Sequence, residues 1–423
     1  MRARSTSLWR HPDFLKLWGS DTISLFGLHA TLLALPLTAV ALGASTLQLG
    51  LLITAQTAPA LLLGFFAGVW VDRRRRRPLL IGANLARAVA LGSIPVAALL
   101  GVLHLAQLYV VAFLSGTAAI IFVVAYQAFL PIVVPRGHLI AGNSALRGSE
   151  ATAQFAGPSI GGLLVQLLAA PLALAVGAVA SLGSALAVLA IRTPERSPAT
   201  ARDNTPIGQA IGVGVRFVLG HPLLRPLLIG ATVGALCSNT IGSILILYAV
   251  RDLGLPAWAY GVVIGTGGPA ALLGALVASR VLHRCGLGKT LIGAALASSA
   301  ATLLIVLAGD QFLAALALLI AWRILASLAE AIGGIATFTL LQTLPPPELQ
   351  GRVNATVRVF GWGAVALGGL LGGVSGEALG LRPTIALAAC GMLLAPLWLL
   401  RSRVHTLQDL ATATTNTSPP ATA

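Results

Sequence analysis

The chain has 423 residues and a formal net charge of +15, yet only 9% of its residues are charged and 57% are hydrophobic. A soluble chain carries roughly a quarter charged residues, so this composition excludes a water-soluble domain and points to a polytopic membrane protein. The positive excess does not indicate a nucleic-acid partner, because the basic residues lie in short loops rather than on one face or tail.

In chain order, apolar segments long enough to cross a bilayer occupy 20–42, 49–71, 79–101, 106–128, 145–168, 171–191, 226–250, 258–280, 289–308, 312–338, 355–377 and 382–400. Arg2, Arg4, Arg10 and Lys16 precede the first, which reads as a full span and not as a cleavable leader. The N-terminus, the even-numbered loops with their helix ends, and the C-terminal tail hold 23 of the 27 Lys and Arg. The odd-numbered loops hold only Arg251 and Arg382, and Arg87 and Arg323 lie inside spans. That bias predicts both termini in the cytoplasm, and an odd number of spans would destroy it. The expected fold is therefore all-α and integral to the membrane, a multi-pass protein of the cytoplasmic (inner) membrane with twelve transmembrane helices.

The longest polar stretch falls midway. It divides the chain into an N-terminal six-helix bundle at 1–191, a cytoplasmic linker at 192–221, a C-terminal six-helix bundle at 222–400, and a tail at 401–423 expected to be disordered. Within the linker, Ile207, Ile211, Val215 and Val218 share one side of an expected interfacial helix over Ile207–Leu219. The halves also resemble each other. A shift of 211 places Gly50 on Gly261, Leu80–Ala83 on Leu291–Ala294, Asn143 on Asn354, Arg147 on Arg358, Gly157 on Gly368, and Gly161-Gly162 on Gly372-Gly373. His11-Pro12 falls on His221-Pro222 with a shift of 210. Two bundles duplicated in parallel orientation are the architecture of transporters that alternate access by rocking.

Between the second and third spans lies GVWVDRRRRRP, Gly68 to Pro78. As a solvated basic loop it would explain the arginines but not the Gly68/Asp72 spacing. Gly68, Asp72, Arg73, Arg76 and Arg77 resemble the corresponding loop of the major facilitator superfamily, with Trp70 and Arg75 standing where Leu and Gly are usual. The resemblance implies a conformational switch in which Asp72 holds the two bundles together on the cytoplasmic side. In the fifth span, Gly157, Pro158, Gly161 and Gly162 are similar to that superfamily's antiporter motif, typical of its exporters. Read physically, they are a kink and a close-packing surface. After the tenth span, Gly351, Arg352, Asn354 and Arg358 lie in a stretch similar to one exporter branch, as does the opening HPDFLKLWGSDTISLFG. The chain is thus identified as resembling the drug:proton antiporter branch that includes macrolide and tetracycline efflux pumps and siderophore exporters. It lacks the fourth-span arginine that many drug antiporters carry.

That resemblance implies multidrug efflux of a small amphipathic organic substrate, coupled to protons, by a monomer in the lipid bilayer. A siderophore or metabolite exporter and a lipid flippase of the same fold are the alternatives. Ionisable groups inside spans are costly without a role, which nominates Glu330, Arg323, Arg87, Asp21 and Glu150. Glu330 and Arg323 are seven apart and share a face, so they form a buried pair or line a cavity. Glu150 follows Arg147 by three and suits a local ion pair, and Asp21 suits the start of a helix. The seven His and three Cys show no metal or acid–base spacing, and no phosphate-binding loop is present. No enzyme activity, metal or cofactor is expected, only a proton gradient as energy source.

Overall fold

The computed structural model describes residues 8–72, 74–134, 138–195, 207–309, 311–346 and 349–402. Among these residues the structure is entirely helical. In lipid, a helix satisfies its own backbone polar groups, so long apolar runs have little alternative. After a single 3₁₀ turn at Leu8–Arg10 come α1 (Pro12–Ala41), α2 (Thr46–Asp72), α3 (Arg76–Leu99), α4 (Leu105–Val133), α5 (Leu139–Leu168), α6 (Ala170–Leu189) and the linker helix α7 (Ile207–Gly220). Then follow α8 (Leu224–Leu247), which ends in one π turn at Tyr248–Asp252, α9 (Ala257–Gly265), α10 (Gly267–Cys285), α11 (Leu287–Leu307), α12 (Phe312–Thr343), α13 (Gln350–Leu379), α14 (Leu381–Met392) and α15 (Leu394–Leu400).

Eleven stretches of the described chain are long and apolar enough to cross a membrane, with α9–α10 and α14–α15 each making one such stretch. The fifth expected span is not among them, although α5 has 30 residues and is ~45 Å long. The side chain of Phe155 lies outside the described residues, which leaves described runs of 141–154 and 156–168 in this helix, each shorter than a bilayer crossing. Pro36, Pro59, Pro95, Pro131 and Pro158 lie inside the first five helices, a placement that membrane helices tolerate where neighbouring groups satisfy the freed backbone.

The helices group into two compact units. The first takes the chain up to Asp203 together with Pro256–Gly265, and the second takes Asn204–Leu255 and everything from Thr266. In the first, α1 packs on α5 and α6, α3 on α4 and α6, and α2 on α4. Although α9 follows the linker, it lies against α5. A side chain at Gly261 would come within 2.7 Å of the Pro158 carbonyl oxygen, and one at Gly162 within 2.7 Å of the Ala257 carbonyl oxygen. In the second unit, α13 and α14 pack on α8, and α10 and α11 on α12. The linker helix α7 lies on α13, where Gly214 passes so close that a side chain would reach within 2.5 Å of the Arg352 carbonyl oxygen. Val218 is buried there with Leu224, Leu228 and Val353.

The same helix pairing recurs in both units. In the first, Gly157 and Gly161 of α5 are pressed against His29 and Ala30 of α1. In the second, Gly368 and Gly372 of α13 are pressed against Asn239 and Thr240 of α8. The glycines are related by the 211-residue shift and their partners by 210, the offset that relates the two His-Pro pairs. The turn after α5 repeats too: Ala169 has φ 66° and ψ 153°, and Gly380, its counterpart after α13, has φ 89° and ψ 164°.

Candidate transport sites

At the arginine loop, α2 ends on Asp72. The surroundings of Gly68, the side chain of Asp72 and the whole of Arg73 lie outside the described residues. Arg76 and Arg77 open α3, and their role is visible. Glu195, at the start of the linker, accepts the Arg76 backbone N–H at 2.6 Å and the Arg77 backbone N–H at 3.1 Å through its two carboxylate oxygens. The Arg76 guanidinium lies 3.6 Å from the same carboxylate, and Arg77 Nη2 donates to the Leu189 carbonyl oxygen at 2.7 Å. An anion at a helix N-terminus satisfies free donors and complements the dipole, so Glu195 caps α3 from a distant part of the chain. Asp13 does the same for the linker's first residues. It accepts the N–H groups of Arg192 and Thr193, the Thr193 hydroxyl and Lys16 Nζ at 2.7–3.1 Å.

Two cavities inside the units hold carboxylates. In the first unit, Asp21 of α1, Tyr126 and Gln127 of α4, and Asn143, Arg147 and Glu150 of α5 line a cavity of about 180 Å³. Arg147 pairs with Glu150 at 2.7 Å, as the three-residue spacing predicts. Ser149, on the same helix, ties α5 to α1 by accepting Trp18 Nε1 at 2.9 Å. Asp21 has no ion pair or hydrogen bond among the described residues, and the buried Tyr126 hydroxyl has no partner among them either. The cavity thus presents an uncommitted carboxylate and hydroxyl beside an ion pair.

In the second unit, a cavity of about 460 Å³ is walled by α8, α11, α12 and the helices at the chain's end. Glu330 opens into it, with Ser298 donating to its Oε1 at 3.4 Å. Ser238, Asn239, Ser299 and Thr337 add polar groups to a wall otherwise made of small and aliphatic side chains. Such a surface suits a molecule with an apolar body and a few polar groups. Arg323 makes no ion pair with Glu330. Its guanidinium lies 5.9 Å from the Trp322 ring centroid, packed against the backbone of Gly267. Seven residues put both on one face but ~10 Å apart along the axis, beyond direct contact.

Arg87 is 2% exposed and has no ion pair among the described residues. Its Nη1 donates to Ser24 Oγ at 3.2 Å. One turn away, Asn84 Nδ2 donates to Ser184 Oγ at 2.7 Å, and Ser184 shares a 2.7 Å hydroxyl contact with Ser20. These side chains form a buried polar seam between α1, α3 and α6.

The remaining motif residues have structural surroundings. Gly157, Pro158, Gly161 and Gly162 are buried and make the close contacts of α5 with α1 and α9. Arg352 and Asn354 are half-buried and Arg358 is exposed at the start of α13, under or beside α7; the surroundings of Gly351 lie outside the described residues. Sequence reasoning passed over Glu195, Ser298, Tyr126 and the Asn84–Ser184 pair. A buried-helix Asn one turn from Arg87 was a readable signal. Glu195 lies 119 residues from Arg76 and Ser298 32 residues from Glu330, so no local spacing announces either.

The sequence profile of the transmembrane secretion effector family matches residues 4–422. The multidrug efflux pump Tap of Mycolicibacterium fortuitum is 28% identical over 404 residues, covering 92% of this chain and 95% of its own. The enterobactin exporter EntS of Salmonella typhi is 26% identical over 369 residues, covering 85% and 86%. Among solved structures, the nucleoside transporter NupG superposes with a TM-score of 0.74 at 13% identity, covering 92% of this chain and 98% of its own. A likeness at that identity shows a shared fold. The helical architecture, the recurring helix pairs and the full-length profile match together establish that the chain belongs to the transmembrane secretion effector family of the major facilitator superfamily, a family of multi-pass membrane transporters and not of enzymes.

Proposed function

We propose that the protein is a secondary active exporter of amphipathic organic molecules in the cytoplasmic membrane, driven by inward proton flow, with twelve spans and both termini cytoplasmic. The observation that carries this reading is Glu330, a carboxylate with no ion pair among the described residues, in the larger of the two cavities and held by Ser298 among small and aliphatic side chains. A membrane-embedded acid in such a place is costly unless it takes part in transport. Substrate and proton compete for the state in which Glu330 faces its cavity, so binding one releases the other. Asp21, uncommitted in the smaller cavity, is the second proton-exchanging group.

The relatives named for drugs and for a siderophore support an amphipathic cargo, and both kinds of molecule carry polar groups on a large apolar or aromatic frame. The cavity's Ser, Asn and Thr groups suit the hydroxyl- and amide-bearing members of either class.

The test is proton movement in everted vesicles on addition of a macrolide, tetracycline, a cationic dye or a catecholate siderophore. Luminal alkalinisation with one class, lost in Glu330→Gln, is the expected result. Substrate-driven proton movement that persists undiminished in Glu330→Gln removes Glu330 from the mechanism.

A further inference from the structure

A third cavity belongs to neither transport site. It is a crevice of about 540 Å³ between α10, α11 and α12. Arg284, at the end of α10, and Lys289, in the first turn of α11, stand at one end. Gly293 and Ala297 of α11 and Leu328 and Ile332 of α12 line the rest. Both basic residues are exposed, and neither has an ion pair or hydrogen bond among the described residues. Among the described residues, no acidic side chain lines the crevice.

The crevice exists because α11 presents small residues there. A side chain built on Gly293 would meet nothing within 4 Å. From Lys289 to Ala297 the helix rises ~12 Å, close to the depth of one hydrocarbon leaflet. The N-terminus of α11, with no side-chain cap, adds its positive end beside Lys289, and exposed Arg280 lies one turn before Arg284 on α10. The result is a cationic mouth over an apolar slot one leaflet deep, on a protein that spans a bilayer.

We infer that this crevice seats an anionic phospholipid, its phosphate between Arg284 and Lys289 and one acyl chain along Gly293, Ala297, Leu328 and Ile332. Charge complementarity selects the headgroup and the open face of α11 admits the chain. A free phosphate fits only the mouth, and a neutral lipid only the slot. The bound chain lies against Ala294 and Ala329, which also wall the Glu330 cavity, so the lipid buttresses that cavity from behind.

The experiment is native mass spectrometry of the full chain in mild detergent, exposed to equal amounts of phosphatidylglycerol and phosphatidylcholine. Selective retention of one phosphatidylglycerol is expected. Arg284→Gln with Lys289→Gln lowers it roughly ten- to thirtyfold, in line with two interfacial charges. Gly293→Leu, which fills the slot and leaves the charges, lowers it as well, whereas Arg216→Gln does not, and excess inorganic phosphate does not displace the lipid. A phosphatidylglycerol analogue photoreactive in its acyl chain labels α11 and α12 in the wild-type protein, a readout independent of any variant's folding. Retention unchanged in either crevice variant, displacement by phosphate, or labelling confined to other helices overturns the assignment.

Discussion

Ser184 serves two buried side chains at once. It accepts Asn84 Nδ2 and shares a hydroxyl contact with Ser20, in a seam that also contains Arg87. A buried amide left without its partner costs about 1–3 kcal/mol. Ser184→Ala should therefore lower the protein's thermal stability by that order, and Asn84→Leu combined with Ser184→Ala should lower it by less than the sum of the two. Unfolding in detergent, read across the double-mutant cycle, measures both. His221 offers a pH-dependent counterpart outside the membrane. Its Nδ1 accepts the N–H groups of Leu223 and Leu224 at 3.2 and 3.3 Å, and burial pushes its pKa below the ordinary 6.5. The folded state thus favours the neutral ring. Its contribution is complete above about pH 6.5 and fades as pH falls through the lower folded value. Stability between about pH 7.5 and pH 5 should fall more in the wild type than in His221→Asn, whose acceptor does not titrate.

Among the elements, the helices are the most legible part of the sequence, because a bilayer demands long apolar runs that few other folds need. The linker helix is equally plain. It is expected over Ile207–Leu219 and found over Ile207–Gly220, since its apolar side repeats at helical spacing. The contacts between helices are less readable. That α9 packs on α5 depends on Gly162 meeting Ala257 and Gly261, which no pattern within either helix reveals. Arg323 and Glu330 show the same limit: their shared face is a local property, whereas the partners each one finds belong to α10 and α11. The repeat, however, converts a local oddity into a prediction. Ala169 holds a backbone conformation suited to glycine, and its counterpart is Gly380. Relief of a strained positive-φ residue, less the chain entropy that glycine adds, should make Ala169→Gly more stable by about 1 kcal/mol. Gly380→Ala should be destabilising. Paired unfolding curves check both signs.

Across the whole molecule, the repeat is kept in packing and abandoned at the acids that line the cavities. The glycine contacts of α5 with α1 recur between α13 and α8, and Arg147 has its counterpart in Arg358, yet Asp21, Arg87 and Glu330 have no ionisable counterpart. A shift of 210 takes Asp21 to Ala231, and a shift of 211 takes Arg87 to Ser298 and brings Glu330 back to Ala119. Duplication thus explains the scaffold, and divergence at a few positions explains why the two cavities differ in size and chemistry. It also explains why the fold could be read from the repeat, whereas the candidate acids Asp21 and Glu330 were legible only as costly charges inside spans, since the repeat carries no counterpart of either.

Glu195 and α7 bracket the middle of the chain, the first fastened to α3 and the second to α13, each within its own unit. Neither attachment depends on the peptide bonds between them. A cut in the gene within 196–206 would therefore leave both of these attachments intact, with α9 of the second product still to find α5 of the first. Co-expressed as separate polypeptides ending and beginning near residue 200, the halves should both accumulate in the membrane at close to wild-type levels, as quantitative immunoblotting would show. Degradation of either product would mean that covalent continuity itself, and not these two anchors, guides assembly.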